Sequence, residues 1–384
     1  MVKRIKVCHI ITMLELGGAQ ENTLYTCRHL NKDKFDVILI AGQGGILDKQ
    51  TIGIKTFFVK TLVRQISPIK DIIAIKKIYK ILKKEKPDIV HTHSSKAGIL
   101  GRWAAHFAKV PTIIHTFHGF GFNDFQPYPV KMAYVLAEQR TAKITDKFIA
   151  VSYDNIEKGL KNKIGTRDQY TVIRSGIKLQ EYQTAVDVAR KKKELGITNE
   201  PVVGMIACFK NQKAPLDFIK TAELVCEKNP NTKFVLVGDG VLRAQIENEI
   251  EKLNLKNNVI LTGWRNDIPE LIKIFDVSVL TSLWEGLPKV VVQSMAAGVP
   301  VVATYIDGTK EVIEEGLTGF FVAPHEIGMM SERILRLLND PDLRKQFAQE
   351  AKKKVQEFDI DLMVSQQETL YTRILASQNG KFSK

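Results

Sequence analysis

Glu285 stands in the loop of SLWEGLPKVVVQSMAAGVPVVAT, residues Ser282 to Thr304, and Gln293 follows eight residues later in a stretch of helical character. A carboxylate in such a loop can accept hydrogen bonds from hydroxyl groups. Pro288 suits the first turn of a helix, where its missing N–H costs nothing. The N–H groups near Lys289 and Val290 then point out of a helix start, which favours an anion. The flanking runs DVSVLTS and VPVVAT read as buried strands. A carboxylate beside an anion site at the carboxyl edge of a parallel sheet suits a phosphorylated ligand with hydroxyls to grip, a description that a nucleotide sugar meets.

Other residues could serve the same ligand. Lys210 and Lys213 lie in FKNQKAPLDF (Phe209 to Phe218), between a strand and a helix. Two cations there suit a diphosphate, whose charge must be held and then stabilised as it leaves; the same stretch also reads as an ordinary polar loop. Gly17 and Gly18 follow the first strand, where a glycine pair lets the backbone approach a phosphate at a helix start or simply turns the chain. Neither this pair nor VGDG (Val237 to Gly240) is the dinucleotide pattern GxGxxG. His91, His93, His115 and His118 cluster at strand ends. His91 and His93 point to one face of a strand, but no third ligand stands at a persuasive spacing, so a metal is not expected. His118, before Gly119, could bond a substrate hydroxyl or phosphate. There is no Ser-His-Asp order, zinc signature, P-loop or DxD pattern.

The elements that must position these residues alternate regularly. Strand-like runs are IKVCHIITM, FDVILIAG, KTFFV, PDIVHTH, PTIIHTFHG, KFIAVS and YTVIRSG, then PVVGMIACF, TKFVLVGDG, NVILTGW, DVSVLTS, VPVVAT and GFFVAP. Near-continuous Val, Ile and Phe mark strands buried on both faces. Helical patterns lie between them, as over 19–30 and 96–109. This predicts an α/β protein of two Rossmann-like doubly wound domains facing across a cleft, with ligands outside the carboxyl ends of the strands. The first domain spans 1–180 and the second 198–360, with a polar stretch over 178–200 between them. A closing helix over 362–384 is expected to pack back on the first domain.

The 384 residues suit two domains. A hydrophobic content of 44% and a charged content of 26% are those of a globular protein, and no apolar run approaches a membrane span. The basic, apolar start reads as a strand rather than a signal peptide. Four scattered cysteines fit a reduced cytoplasm and core packing. The net charge of +14 is uneven: residues 1–180 carry 30 Lys+Arg against 14 Asp+Glu, and the remainder 26 against 28. The densest segment, Ser67 to Asp88, spaces Ile72, Ile75, Ile78, Tyr79 and Leu82 as a helix face, with Lys76, Lys77, Lys80, Lys83 and Lys84 between them. This reads either as a solvated face or as a contact with an anionic membrane surface, where each lysine adds about 1 kcal/mol. No aromatic-basic interleaving supports nucleic acid.

Taken together, LGGAQ, HTHSSKAGILGR, HTFHGF, AVS with VIRSGI, FKNQKAPLDF, VGDG, LTGW, SLWEGLP and DGTKEVIEEGLTGFFVAP resemble family 4 of the retaining glycosyltransferases, with the GT-B fold, over nearly the whole chain. The wording of SSKAG, HGF and QKAPLDF is similar to the bacterial branch that builds capsule, exopolysaccharide or O-antigen. The resemblance implies a metal-independent hexosyltransferase without cofactor, at the inner face of the cell membrane. Its donor would be a nucleotide-diphospho-sugar, of the UDP type, and its acceptor a lipid-diphosphate-linked sugar or polysaccharide. It implies roles residue by residue: Gly17 and Gly18 near the donor phosphates, His118 at the reacting centre, and Lys213, helped by Lys210, on the diphosphate. Glu285 would hold sugar hydroxyls, with Gly286, Leu287 and Pro288 lining sugar and phosphates. The family's second glutamate falls on Gln293, which can still accept from one ribose hydroxyl and donate to another. Cys208 stands where the family carries arginine. A UDP-sugar 2-epimerase of the same fold, or a donor-binding subunit without turnover, are the alternative functions.

Overall fold

The computed structural model describes residues 4–379, and each strand-like run of the sequence forms a strand. The first sheet contains β1 (Ile5–Met13), β2 (Phe35–Gly42), β3 (Lys55–Phe58), β4 (Ile89–His93), β5 (Thr112–Phe117), β6 (Lys147–Ala150) and β7 (Tyr170–Val172). Their order is β3-β2-β1-β4-β5-β6-β7. The second sheet contains β8 (Val202–Ile206), β9 (Lys233–Val237), β10 (Val259–Gly263), β11 (Val277–Leu280), β12 (Val301–Thr304) and β13 (Gly319–Val322), in the order β10-β9-β8-β11-β12-β13. Every pairing in both sheets is parallel. The strand order reverses between β1 and β4 and again between β8 and β11. These are the topological switch points, where the loops diverge and leave room for a ligand.

The chain divides into two compact units: one runs to Gly176 and resumes at Ile360, and the other is Ile177–Asp359. The polar stretch over 178–200 forms two short helices, Leu179–Gln183 and Val188–Glu194, within the second unit. The closing helix is Ile360–Asn379; Met363, Val364, Tyr371 and Ile374 bury into one core with Val7, Phe35, Ile89 and Ile114 of the first sheet. The part of the expected 362–384 helix beyond residue 379 lies outside the described residues.

The helices expected over 19–30 and 96–109 are Gly18–His29 and Ser95–Ala108. The second of these lies hard against its sheet: a Cβ on Gly98 would stand 2.5 Å from the His115 ring, so only glycine allows the approach. One turn further on, it carries a buried ion pair. Arg102 Nη2 donates to Glu138 Oε2 at 2.6 Å, and Arg102 Nε to the carbonyl of Gly98 at 2.8 Å, which joins this helix to Tyr128–Ala142.

The lysine-rich segment forms the helix Pro68–Glu85, but its buried stripe is Ala74, Ile78 and Leu82. Ile72, expected on the core face, is instead 55% exposed, beside Ile69 at 75%. An i, i+4, i+8 stripe is narrow, and the isoleucines of the first two turns fall outside it. Lys76, Lys77, Lys80, Lys83 and Lys84 are all exposed. Among the described residues, no helix is long and apolar enough to cross a membrane.

Candidate active site

The switch point of the second sheet brings Lys213 and Glu285 together. After β8 the chain makes a short turn over Asn211–Lys213, places Ala214 in the left-handed region at φ 42°, and enters the helix Pro215–Lys228. After β11 it runs through Ser282 to Pro288 and enters the helix Lys289–Ala296. Pro288 precedes the first helical residue rather than occupying it, with ψ at 95°. The two loops are laced to each other. Thr281 Oγ1 donates to the carbonyls of Lys213 (2.7 Å) and Ala214 (3.0 Å), Gln212 Nε2 donates to the Trp284 carbonyl at 2.7 Å, and the Leu283 amide donates to the Gln212 carbonyl at 2.8 Å.

On this frame Lys213 Nζ donates to Glu285 Oε1, and Ser282 Oγ donates to the same oxygen at 2.7 Å. The side chains are 18% and 10% exposed, so a cation and a carboxylate share a nearly dry niche. Gly286 is overlaid by Gly308, where a Cβ would stand 2.0 Å from the Gly286 carbonyl oxygen; that contact fixes the loop beside Leu287 and Pro288, both buried. Lys210, Cys208 and Gln293 are half-buried. The Lys210 amide donates to the Cys208 carbonyl at 2.9 Å, and Gln293 sits mid-helix with its carbonyl accepting from the Ala297 amide. The arrangement can neutralise phosphate oxygens through lysine and accept hydroxyl protons through glutamate.

The carboxyl edge of the first sheet is built differently. Gly17 precedes the helix Gly18–His29 at φ 169°, an extended conformation open to any residue, so its backbone shape does not demand glycine. At the switch point, Thr12 Oγ1 lies 2.7 Å from Ser94 Oγ and accepts from the Ala97 amide at 3.1 Å. Ser94 itself is held at φ 60°, ψ 153°, a region that side chains avoid and that concentrates at functional positions. Nothing in HTHSS announces that strain.

His118 lies just past β5, in a recess lined also by Asn22, Thr116, Arg174 and Gln367. Arg174, passed over in the sequence motif VIRSGI, reaches this recess because β7 ends at the same sheet edge.

Behind His118 stands an imidazole cluster whose third member the sequence reading missed. His9 on β1 pairs directly with His91 on β4, so His9, His91 and His93 share one face of the sheet. Their ring nitrogens include a set within 4.8 Å of one another, a spacing that could hold a metal ion. The expectation that no third ligand stands near His91 and His93 is therefore corrected. His91, however, places Nδ1 2.6 Å from Tyr371 Oη and Nε2 2.6 Å from Thr116 Oγ1, so both its nitrogens already serve hydroxyls. Burial holds His9 down to about 3, and depresses His91, His93 and His115 well below the usual imidazole range, with neighbouring imidazoles or Arg102 adding to the effect. All four are neutral at pH 7. His115 faces the opposite side of the sheet, 2.9 Å from Thr92 Oγ1.

Comparison with known proteins places the chain in a family. Residues 16–181 match Glycosyltransferase Family 4, and residues 187–354 match the group 1 glycosyl transferases. The UDP-Gal:alpha-D-GlcNAc-diphosphoundecaprenol alpha-1,3-galactosyltransferase of Escherichia coli is 36% identical over 381 residues, covering 98% of either chain. The capsular polysaccharide biosynthesis glycosyltransferase CapM of Staphylococcus aureus is 24% identical over 390 residues, covering 99% of this chain and 100% of the relative. Among solved structures, Anabaena HepE in complex with UDP-glucose superposes with a TM-score of 0.83 at 22% identity, over 96% of this chain and 100% of its own. WaaG, a glycosyltransferase of lipopolysaccharide biosynthesis, does so with a TM-score of 0.78 at 17% identity, over 95% and 99%. Two doubly wound parallel sheets, the Lys213–Glu285 switch-point pair and a full-length relative at 36% identity lead to one conclusion: the chain belongs to family 4 of the glycosyltransferases, with the GT-B fold, and is a hexosyltransferase of the bacterial surface-polysaccharide type.

Proposed function

We propose that this enzyme transfers a hexosyl group from a UDP-sugar to a lipid-diphosphate-linked sugar at the inner face of the cell membrane, with retention at the anomeric carbon and without a metal ion. The observation that carries this reading is the convergence of Lys213 and Glu285 at the switch point of the second sheet. Lys213 takes the diphosphate, with Lys210 compensating for the neutral Cys208, and Glu285 takes sugar hydroxyls beside the backbone of Gly286 to Pro288. Gln293 takes the ribose. The identity of the donor and acceptor in the Escherichia coli relative supports the substrate classes.

In this reading the acceptor hydroxyl attacks the anomeric carbon on the face from which UDP departs. The carbon–oxygen bond to the β-phosphate breaks, and the hydroxyl proton passes to the departing phosphate oxygen, so the leaving group is also the base. Lys213 offsets the growing negative charge in a site with little water, where such a contact is worth most. The first unit receives the acceptor, with His118 and the Gly17–Gly18 turn at its carboxyl edge. The exposed lysines of Pro68–Glu85 meet anionic lipid, and Ile69 and Ile72 enter the interface.

The test is transfer from UDP-galactose, UDP-glucose and UDP-N-acetylglucosamine to a synthetic α-N-acetylglucosaminyl diphospho-lipid in EDTA, with the product linkage read by NMR. An α-linked product from one UDP-sugar is expected. Release of free epimerised sugar without acceptor, or binding of every donor without turnover, refutes the proposal. Sedimentation with phosphatidylglycerol vesicles, and its loss in a Lys76, Lys77, Lys80, Lys83, Lys84→Gln variant, checks the membrane contact.

A further inference from the structure

The imidazoles of the first unit form an ordered chain that ends at His118. His9 Nδ1 lies 3.0 Å from His93 Nε2, and His93 Nδ1 lies 3.3 Å from His118 Nε2. His9 Nε2 is buried and has no hydrogen-bond partner among the described residues. We propose that His9 and His93 are positioning residues that fix His118 as the neutral tautomer with its proton on Nδ1, so that it meets a ligand oxygen as a hydrogen-bond donor.

A neutral imidazole has one N–H and one lone pair, so a chain of such rings has two polarities. In the outward polarity, His9 Nδ1–H donates to His93 Nε2 and His93 Nδ1–H donates to His118 Nε2. His118 then carries its own proton on Nδ1, and the unpartnered His9 Nε2 is a bare lone pair. In the inward polarity every bond reverses, and His9 Nε2 becomes a buried N–H with nothing to receive it. Buried N–H groups without an acceptor are rarer in folded proteins than acceptors without a donor, so the outward polarity prevails. His91 does not disturb it, because its two nitrogens face Tyr371 and Thr116. The nitrogen that carries the proton is set by the bond its partner nitrogen makes, and second-layer groups of this kind orient the residue that touches the ligand.

Histidine in water favours the proton on Nε2, so three successive Nδ1–H rings are not a default outcome. The ligand oxygen rests on the proposed function; the tautomer rests on the imidazole contacts alone.

The experiment is long-range 1H–15N NMR of the full chain with ring-15N histidine at pH 7.5, without substrate, the signals being assigned by single substitutions. His9, His93 and His118 are each expected as neutral Nδ1–H rings. An Nε2–H ring or an imidazolium at His118 overturns the proposal. A second arm compares His93→Asn, which keeps an amide N–H near the Nδ1 position, with His93→Gln, which places it near Nε2. His118 keeps its Nδ1 proton in the asparagine variant and reverts toward the solution tautomer in the glutamine variant. The same tautomer at His118 in both variants overturns the positioning role, and the wild-type spectrum decides if either variant misfolds. Because no donor or acceptor is added, this result stands apart from the transfer assay.

Discussion

The two sheets carry their chemistry at equivalent places in opposite electrical forms. At the edge of the first, His9, His91 and His93 are buried and neutral, joined to one another and to hydroxyls. At the edge of the second, Lys213 and Glu285 form an ion pair in a niche that remains slightly open. A hydroxyl-bearing acceptor needs directed hydrogen bonds, whereas a departing diphosphate needs positive charge. On the proposed function, the fold supplies both at the switch point of a parallel sheet, from imidazoles on the strands of the first sheet and from Lys213 and Glu285 on the loops of the second. The first unit also contains an ion pair, Arg102–Glu138, but this one is fully enclosed between helices. It belongs to packing rather than to a ligand.

That contrast breaks first on the ion pairs. Arg102→Ala leaves Glu138 buried without its partner and is expected to cost about 3–5 kcal/mol of stability. Urea unfolding followed at Trp103, on the same helix, reads it; a loss below 1 kcal/mol would mean the pair is dispensable. Acid separates the units next. His9, His91, His93 and His115 have folded-state pKa values below their unfolded value near 6.5. The unfolded chain therefore binds more protons below pH 6.5, and stability falls as pH falls through that range. All four act in the same direction, so the loss between about pH 6.5 and 5.5 is expected to exceed that of any one of them. The second unit holds a single histidine, His325, in its sequence. Single-tryptophan variants retaining Trp103 or Trp284 should show the loss in the first unit and not in the second. Equal acid sensitivity in the two would remove the distinction.

Lys213→Ala is expected to lower kcat/KM by about 10^2–10^3, the scale of one lost charge-stabilising contact. It should cost less stability than Arg102→Ala, since the pair keeps some contact with solvent and Ser282 Oγ still donates to Glu285 Oε1. A fall in Tm matching the loss of activity would make this pair structural, like Arg102–Glu138. Gln293→Glu gives the smallest effect: donor affinity rises by on the order of 1 kcal/mol, measured as a lower Kd for UDP, if the amide now makes the weaker of two ribose contacts.

Much of this arrangement is legible in the sequence, for a physical reason. Strands buried on both faces must be apolar throughout, so runs such as FDVILIAG and TKFVLV declare themselves. SLWEGLP and FKNQKAPLDF likewise put Glu285 and Lys213 in loops at strand ends, where the structure brings the two side chains together. What stayed hidden depends on pairing across distance. His9 joins His91 only because β1 and β4 are neighbours at the switch point, 82 residues apart in the chain. Ile72 follows the helical period yet faces solvent, since the stripe on Ala74 already fills the contact with the sheet. The torsion of Ser94 and the extended form of Gly17 are properties of the folded backbone that residue type does not encode.

The most direct measurement is calorimetric titration of UDP into the wild-type chain and Lys213→Ala, both in EDTA. Saturable one-site binding by the wild type, weakened at least tenfold in the variant, is the result that a metal-free diphosphate site at the Lys213–Glu285 pair predicts. Equal affinity in the two proteins, or wild-type binding that appears only when a divalent cation is restored, would contradict it.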